Sequence, residues 1–148
     1  MSASKIDMVL KENILGRIGC SHESKTYIVP TNYVYDGKSI ICHSLAGMKI
    51  DIMRKNPAVC FEVESIKSMT EWKTVILHGH FQELTDETDR YRAMKLLVDK
   101  TLRLKISESA VLPERAEKRM HPRSPGAFKP IIYRIIITEK TGRYEKTT

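Results

Sequence analysis

The stretch that most restricts how this chain can fold lies between Thr26 and Cys42, where TYIVPTNYVY and SIIC flank the pair Asp36-Gly37. β-Branched and aromatic side chains mark the first run as a strand. Asp-Gly is a strong signal for a tight reversal, because a type I′ turn needs positive φ at both central residues. Ser39 to Cys42 then returns as the antiparallel partner, so a sheet built from hairpins is set early. Pro30 cannot donate a ladder hydrogen bond, which assigns its position to an edge, a bulge or a ligand-facing break. Pairing across the turn sets Tyr35 near Lys38 and brings residues 31–33 beside residues 40–43.

Further strands follow the same signals: Arg17–Cys20, Ala58–Val63, Trp72–Leu84 and the closing run IIYRIIIT over 131–138, with a polar tail after Gly142. Gly79, inside a long strand, reads as a bulge or a close approach of two backbones. Three helices are expected. Residues 4–15 are amphipathic, and Met48–Asn56 is stopped by Pro57, which disfavours helical geometry at Asn56. The third spans about residues 86–105, with Thr85 as N-cap and Tyr91, Met94, Leu97, Val98 and Leu102 along one face. Residues 107–130 hold four of the six prolines and read as a loop. The sum is one domain over residues 1–148: a mainly β, antiparallel barrel of about six strands with peripheral helices.

At 148 residues the chain can bury a core without disulfide staples. It contains no run of 18 apolar residues, and its first residues are charged where a signal peptide is apolar, so a cytoplasmic protein is expected. Three cysteines without a CxxC pair form neither a disulfide framework nor a zinc site. The formal charge of +7 is compatible with nucleic acid, an anionic membrane or a phosphorylated ligand. Much of the excess falls in residues 90–129, which lack interleaved aromatics and any nucleic-acid motif. A solvated surface is therefore preferred there over a nucleic-acid stripe.

Two places concentrate chemistry. His43-Ser44-Leu45-Ala46-Gly47-Met48-Lys49 joins a strand end to a helix start. Free backbone N–H groups, the helix dipole, a hydroxyl and an ammonium would converge there on an anion such as phosphate. The alternative is an ordinary strand–helix connection with a surface lysine. Thr31, Asn32 and Tyr33 are polar groups within an apolar strand, suited to bonding the edge of a flat heteroaromatic ligand, or else to facing water. Trp72 and Thr74 share one face of their strand, and Val75, Leu77 and Phe81 the other. His78 and His80 also share a face, but no third ligand stands at a metal-binding spacing. Cys42 and Cys60 lie in strand interiors and are expected to be buried thiols. No nucleophile motif is present, so any chemistry here belongs to a cofactor.

The runs P-x-N-Y-x-Y-D-G, C-H-S-x-x-G-x-K and N-P-x-V-C-F-E-V between Tyr27 and Glu64, with WKTVILHGHFQEL and YRIIITEKTGR, resemble the flavin-binding proteins related to pyridoxamine 5′-phosphate oxidase. The branch they resemble most is that of the 5-nitroimidazole resistance (Nim-type) proteins. The resemblance implies a split β-barrel homodimer that binds FMN at the subunit interface and reduces nitroaromatic compounds, or else only stores flavin. It places Thr31, Asn32 and Tyr33 along the isoalloxazine edge and Cys42, His43 and Ser44 past the ribityl chain and phosphate. Lys49 falls on the phosphate, and Trp72 and Thr74 flank the ring. Some relatives bind heme, for which His43, His78 and His80 are the candidate ligands. The arginine-rich phosphate motif and C-terminal substrate segment of true pyridoxamine phosphate oxidases have no counterpart, which argues against vitamin B6 phosphates as substrates.

Overall fold

A computed structural model describes residues 1–105 and 129–147; the loop expected over 107–130 lies almost wholly outside them. Among the described residues the order is α1 (Ala3–Glu12), β1 (Leu15–His22), β2 (Lys25–Asn32), β3 (Val34–Tyr35), β4 (Ser39–Ser44), α2 (Met48–Lys55), β5 (Ala58–Ser68), β6 (Glu71–Glu83), α3 (Glu87–Lys105) and β7 (Ile131–Lys146). The strands form one antiparallel sheet in the order β2-β1-β5-β6-β7-β4-β3. The ladder does not close: β2 and β3 are its edges. Pro30 thus sits on an edge strand, where a missing N–H costs little.

Seven strands stand where about six were expected, because the run 26–35 breaks at Tyr33. Its N–H leaves the ladder to donate to the Ile14 carbonyl at 3.1 Å, which splits β2 from β3. The final strand runs on to Lys146 instead of ending near residue 138, since β6 is long enough to pair Glu71–His78 with residues 139–146. A polar sequence is held there by ladder hydrogen bonds that local hydrophobicity does not reveal. β5 likewise extends to Ser68, and α1 ends at Glu12.

The turns redistribute the expected chemistry. Only Gly37 of the Asp36-Gly37 pair has positive φ (97°). The turn is instead held by the Asp36 carboxylate, which accepts from the Lys38 and Ser39 amides and the Ser39 hydroxyl at 2.8, 2.6 and 2.9 Å. Positive φ at both central residues occurs at Glu23 (48°) and Ser24 (65°), in the two-residue turn joining β1 to β2. At α3 the cap is Asp86, whose carboxylate accepts from the Asp89 amide at 3.1 Å, not Thr85. Ala93 and Leu97 are the buried residues of α3, and Tyr91 faces solvent.

Along β6, Val75, Leu77 and Gly79 are buried while Ile76, His78 and His80 are exposed, the period-2 pattern of a sheet with one face on a core. That core gathers Ile18, Phe61, Val63, Val75, Leu77, Tyr133 and Ile135 with Ile6, Val9 and Leu10 of α1. A second cluster, Val34, Ile41, Leu84 and Ile132 with Ala93 and Leu97, seats α3. Gly79 marks the expected irregularity: the register with β7 shifts between His78 and Gly79. A Cβ at Gly79 would lie 2.2 Å from the Ile136 carbonyl oxygen, so only glycine lets the two strands approach.

Candidate functional site

The strand–helix junction forms as its residues suggest. β4 ends at Ser44, a three-residue loop follows, and α2 begins at Met48 with Gly47 at its N-cap and, among the described residues, no side chain capping it. The Asp51 amide bonds back to the Gly47 carbonyl at 3.1 Å; the amides before it, at the first turn, have no carbonyl within the helix to receive them. Among the described residues nothing lies within 4 Å of a Cβ placed on Gly47. Lys49 is half-buried here, and its charge reaches His43, Cys42 and Cys20. Burial, then the Lys49 ammonium, holds the His43 imidazole below its ordinary pKa, so it is uncharged at neutral pH. The Ser44 hydroxyl donates to the Leu45 carbonyl at 2.8 Å.

Beneath this junction is a closed polar cluster. Cys42 is fully buried, and burial pushes its thiol up to about 12, so it is an inert thiol. Thr31 and Tyr133 lie against it. Among the described residues the buried Tyr133 hydroxyl has no partner at hydrogen-bond geometry, and the Thr31 hydroxyl donates to the Asn32 carbonyl at 3.2 Å. Tyr33 is also in the core. Its ring meets Phe61 edge-to-face, with centroids 5.3 Å apart, and its hydroxyl donates to the Leu10 carbonyl at 2.7 Å. What Tyr33 and Cys42 can offer a ligand is therefore main chain, not side chain. Cys60 is half-buried on the outer face, and the second buried thiol is Cys20 instead.

Directly opposed residues of a sheet share a face. The registers Leu15↔Asn32, Arg17↔Pro30, Arg17↔Glu62, Glu62↔Ile76, Glu64↔Thr74 and Ile66↔Trp72 therefore put Asn32, Trp72 and Thr74 together on the outer face. Trp72 and Thr74 do share one side of β6, opposite Val75 and Leu77, as their alternation implies. Thr74 donates its hydroxyl to Glu62 Oε1 at 3.0 Å. Arg17 Nη1 lies 2.9 Å from Glu64 Oε1 and 3.7 Å from Glu62 Oε2. Burial is the largest influence on Glu62 and raises its carboxyl pKa, with Glu64 adding to it against the Thr74 hydrogen bond and Arg17. Among the described residues no hydrogen bond or ion pair joins His43, Ser44 or Lys49 to Trp72 or Thr74. The site residues thus fall into a junction group and a sheet-face group. Among the described residues no three His, Cys, Asp or Glu side chains converge as a metal site.

Sequence reasoning missed Arg17, Glu62 and Glu64, whose convergence needs strands β1, β5 and β6 in register. It also missed Lys100, which donates from α3 to the carbonyls of Asn13 and Tyr33 and lies over the Tyr33 ring.

A family model described as pyridoxamine 5′-phosphate oxidase matches residues 2–143. The chain belongs to that family. Its fold is shared with solved structures: a FAD-binding protein of Mesorhizobium loti is 25% identical with a TM-score of 0.76, covering 99% of this chain and 96% of that one. A candidate 5-nitroimidazole antibiotic resistance protein of Bacteroides thetaiotaomicron is 15% identical with a TM-score of 0.68, covering 95% and 82%; at that identity the likeness is one of fold. A Rhizobium meliloti (strain 1021) protein, itself uncharacterized, is 37% identical over 84 residues, which span 57% of this chain and 56% of that protein. The mainly β split-barrel architecture with peripheral helices is thus that of a family with flavin-binding members. Among the described residues no helix is long and apolar enough to cross a membrane.

Proposed function

We propose that this family member is a cytoplasmic, flavin-dependent oxidoreductase that binds FMN and reduces nitroaromatic acceptors such as 5-nitroimidazoles. The observation that carries the reading is the junction of β4 and α2. Free amides at a helix start, the Lys49 ammonium, the neutral His43 imidazole and the open side of Gly47 make a donor-rich, uncrowded place for a phosphate monoester. Lys49 and the α2 amides would hold the phosphate, Asn32 and the main chain at residues 31–33 would meet the polar edge of the ring, and Trp72 and Thr74 would flank it. When bound, the flavin supplies the two-electron redox chemistry. The chain's own part is to bind it, set its hydrogen bonds and leave one side of the ring open to an acceptor.

The cleft is completed in this reading by a second copy of the chain. Ile28 (68% exposed), Ile76 (40%) and Ile136 (41%) lie uncovered on the same outer face as Thr74, on strands β2, β6 and β7, and burying such exposed apolar side chains against a partner is favourable. FAD in place of FMN is the second reading, supported by the FAD-binding relative of 25% identity. Visible absorption of the purified protein and the mass of the cofactor released on denaturation distinguish FMN, FAD and heme. Anaerobically reduced holoprotein mixed with a 5-nitroimidazole is expected to reoxidise faster than free reduced FMN. Reoxidation no faster than free FMN would make the protein a flavin carrier, and failure to take up any flavin would contradict the reading.

A further inference from the structure

On the outer face of β5 and β6 the direction of one hydrogen bond is fixed by Glu62, a carboxylate of the N-P-x-V-C-F-E-V run to which no role in the site is assigned above. A threonine hydroxyl has a single hydrogen to donate and lone pairs with which to accept. In Thr74 that hydrogen goes to Glu62 Oε1 at 3.0 Å, and an ionised carboxylate only accepts. The other oxygen of Glu62 faces Arg17 Nη1 at 3.7 Å, while Arg17 also holds Glu64 at 2.9 Å. Glu62 is thereby oriented from two sides. Toward anything laid on the sheet face Thr74 has only lone pairs left.

We infer that Glu62 is a positioning residue that makes Thr74 an obligate hydrogen-bond acceptor, so that Thr74 recognises a donor group on the cofactor. The inference rests on the flavin reading above. An oxidised isoalloxazine ring offers acceptors at N1, N5, O2 and O4 and one N–H donor, at N3; the ribityl chain adds hydroxyls. Thr74 therefore selects the N3–H or a ribityl O–H, and the two sources are separable with N3-methyl-FMN, which lacks only the first.

Glu62→Gln reverses the arrangement while keeping the shape. Arg17 attracts the amide oxygen, which turns the amide NH2 toward Thr74 and frees the threonine hydrogen to point at the ligand, where it meets a donor. Thr74→Val removes the acceptor altogether and Thr74→Ser retains it, so these two variants carry the test should Glu62→Gln fold poorly, as judged by circular dichroism and thermal melting. Equilibrium titration with FMN is expected to show Kd raised roughly tenfold in Glu62→Gln and in Thr74→Val, and within about twofold of the parent in Thr74→Ser. The Glu62→Gln/Thr74→Val double variant should be no worse than either single one, because both remove the same contact. N3-methyl-FMN should bind the parent more weakly than FMN if the donor is N3–H, and equally well if it is a ribityl hydroxyl. Tight FMN binding by the parent and by Glu62→Gln alike, or losses that add in the double variant, would overturn the assignment alone. A parent protein that takes up neither FMN nor FAD would overturn the flavin reading and this assignment with it.

Discussion

Tyr33 separates a structural from a ligand-binding role in a way one substitution can measure. It stands in the motif that resembles a flavin-binding strand, yet its side chain is 2% exposed and its hydroxyl caps helix α1. The last carbonyls of a helix have no partner within it. In α1 the Val9 carbonyl accepts from Asn13 Nδ2 at 2.7 Å and the Leu10 carbonyl from the Tyr33 hydroxyl at 2.7 Å. Tyr33→Phe keeps the ring against Phe61 and deletes only that donor, leaving a buried carbonyl unpaired. The expected loss is about 1–3 kcal/mol of stability. For a domain of this size each kcal/mol lowers Tm by roughly 2–4 °C, so the melting temperature should fall by about 2–12 °C. Urea denaturation and differential scanning fluorimetry measure the loss, and FMN titration measures what the ligand feels. Because the hydroxyl points into the core, FMN affinity should stay within about twofold. A variant as stable as the parent, or one that keeps its stability and loses flavin affinity tenfold, would refute this placement of Tyr33.

Two glycines and one lysine give further tests. Gly79→Ala would drive a Cβ to 2.2 Å from the Ile136 carbonyl oxygen, and strands in a ladder cannot separate locally. It should cost at least about 3 kcal/mol by urea denaturation, or yield no folded protein. Among the described residues Gly47→Ala meets nothing within 4 Å, so its melting temperature should hardly change while FMN binding weakens, because the new methyl group occupies the approach to the α2 amides. Burial holds the Lys100 ammonium down to about 8 from an ordinary 10.5. The unfolded chain therefore binds the proton more readily across that window, and stability should rise with pH from about 8 to 10.5 on this account. Comparison of urea midpoints across the window should show that rise reduced in Lys100→Met; identical slopes in the two proteins would contradict it.

The parts of the fold carried by local signals were legible in the sequence. Alternation along Trp72–Leu84 gave β6 and its faces, Pro57 gave the end of α2, and Gly79 announced the close approach to β7. Pairing decided what local signals could not. The polar residues 139–146 are a strand only because β6 is long enough to hold them, and Tyr33 interrupts an apparently continuous strand because its amide has a partner in Ile14. Asp-Gly marked the right turn for the wrong reason, since the Asp36 carboxylate holds it. For the candidate site, residues near one another in the chain, His43 to Lys49, could be assembled from spacing. The Arg17–Glu62–Glu64–Thr74 network could not, because its members come from three strands whose register the sequence does not state.

In the proposed function the junction of β4 and α2 holds the phosphate of a flavin. Its most direct test is a comparison of FMN with riboflavin, which differ by that phosphate alone, on the parent and on Lys49→Ala. The parent should bind FMN much more tightly than riboflavin. Lys49→Ala should lose about 1.5–3 kcal/mol of FMN binding, roughly 10- to 150-fold in Kd, while its weak binding of riboflavin stays the same. Equal affinity of the parent for the two flavins, or an unchanged FMN affinity in Lys49→Ala, would contradict it.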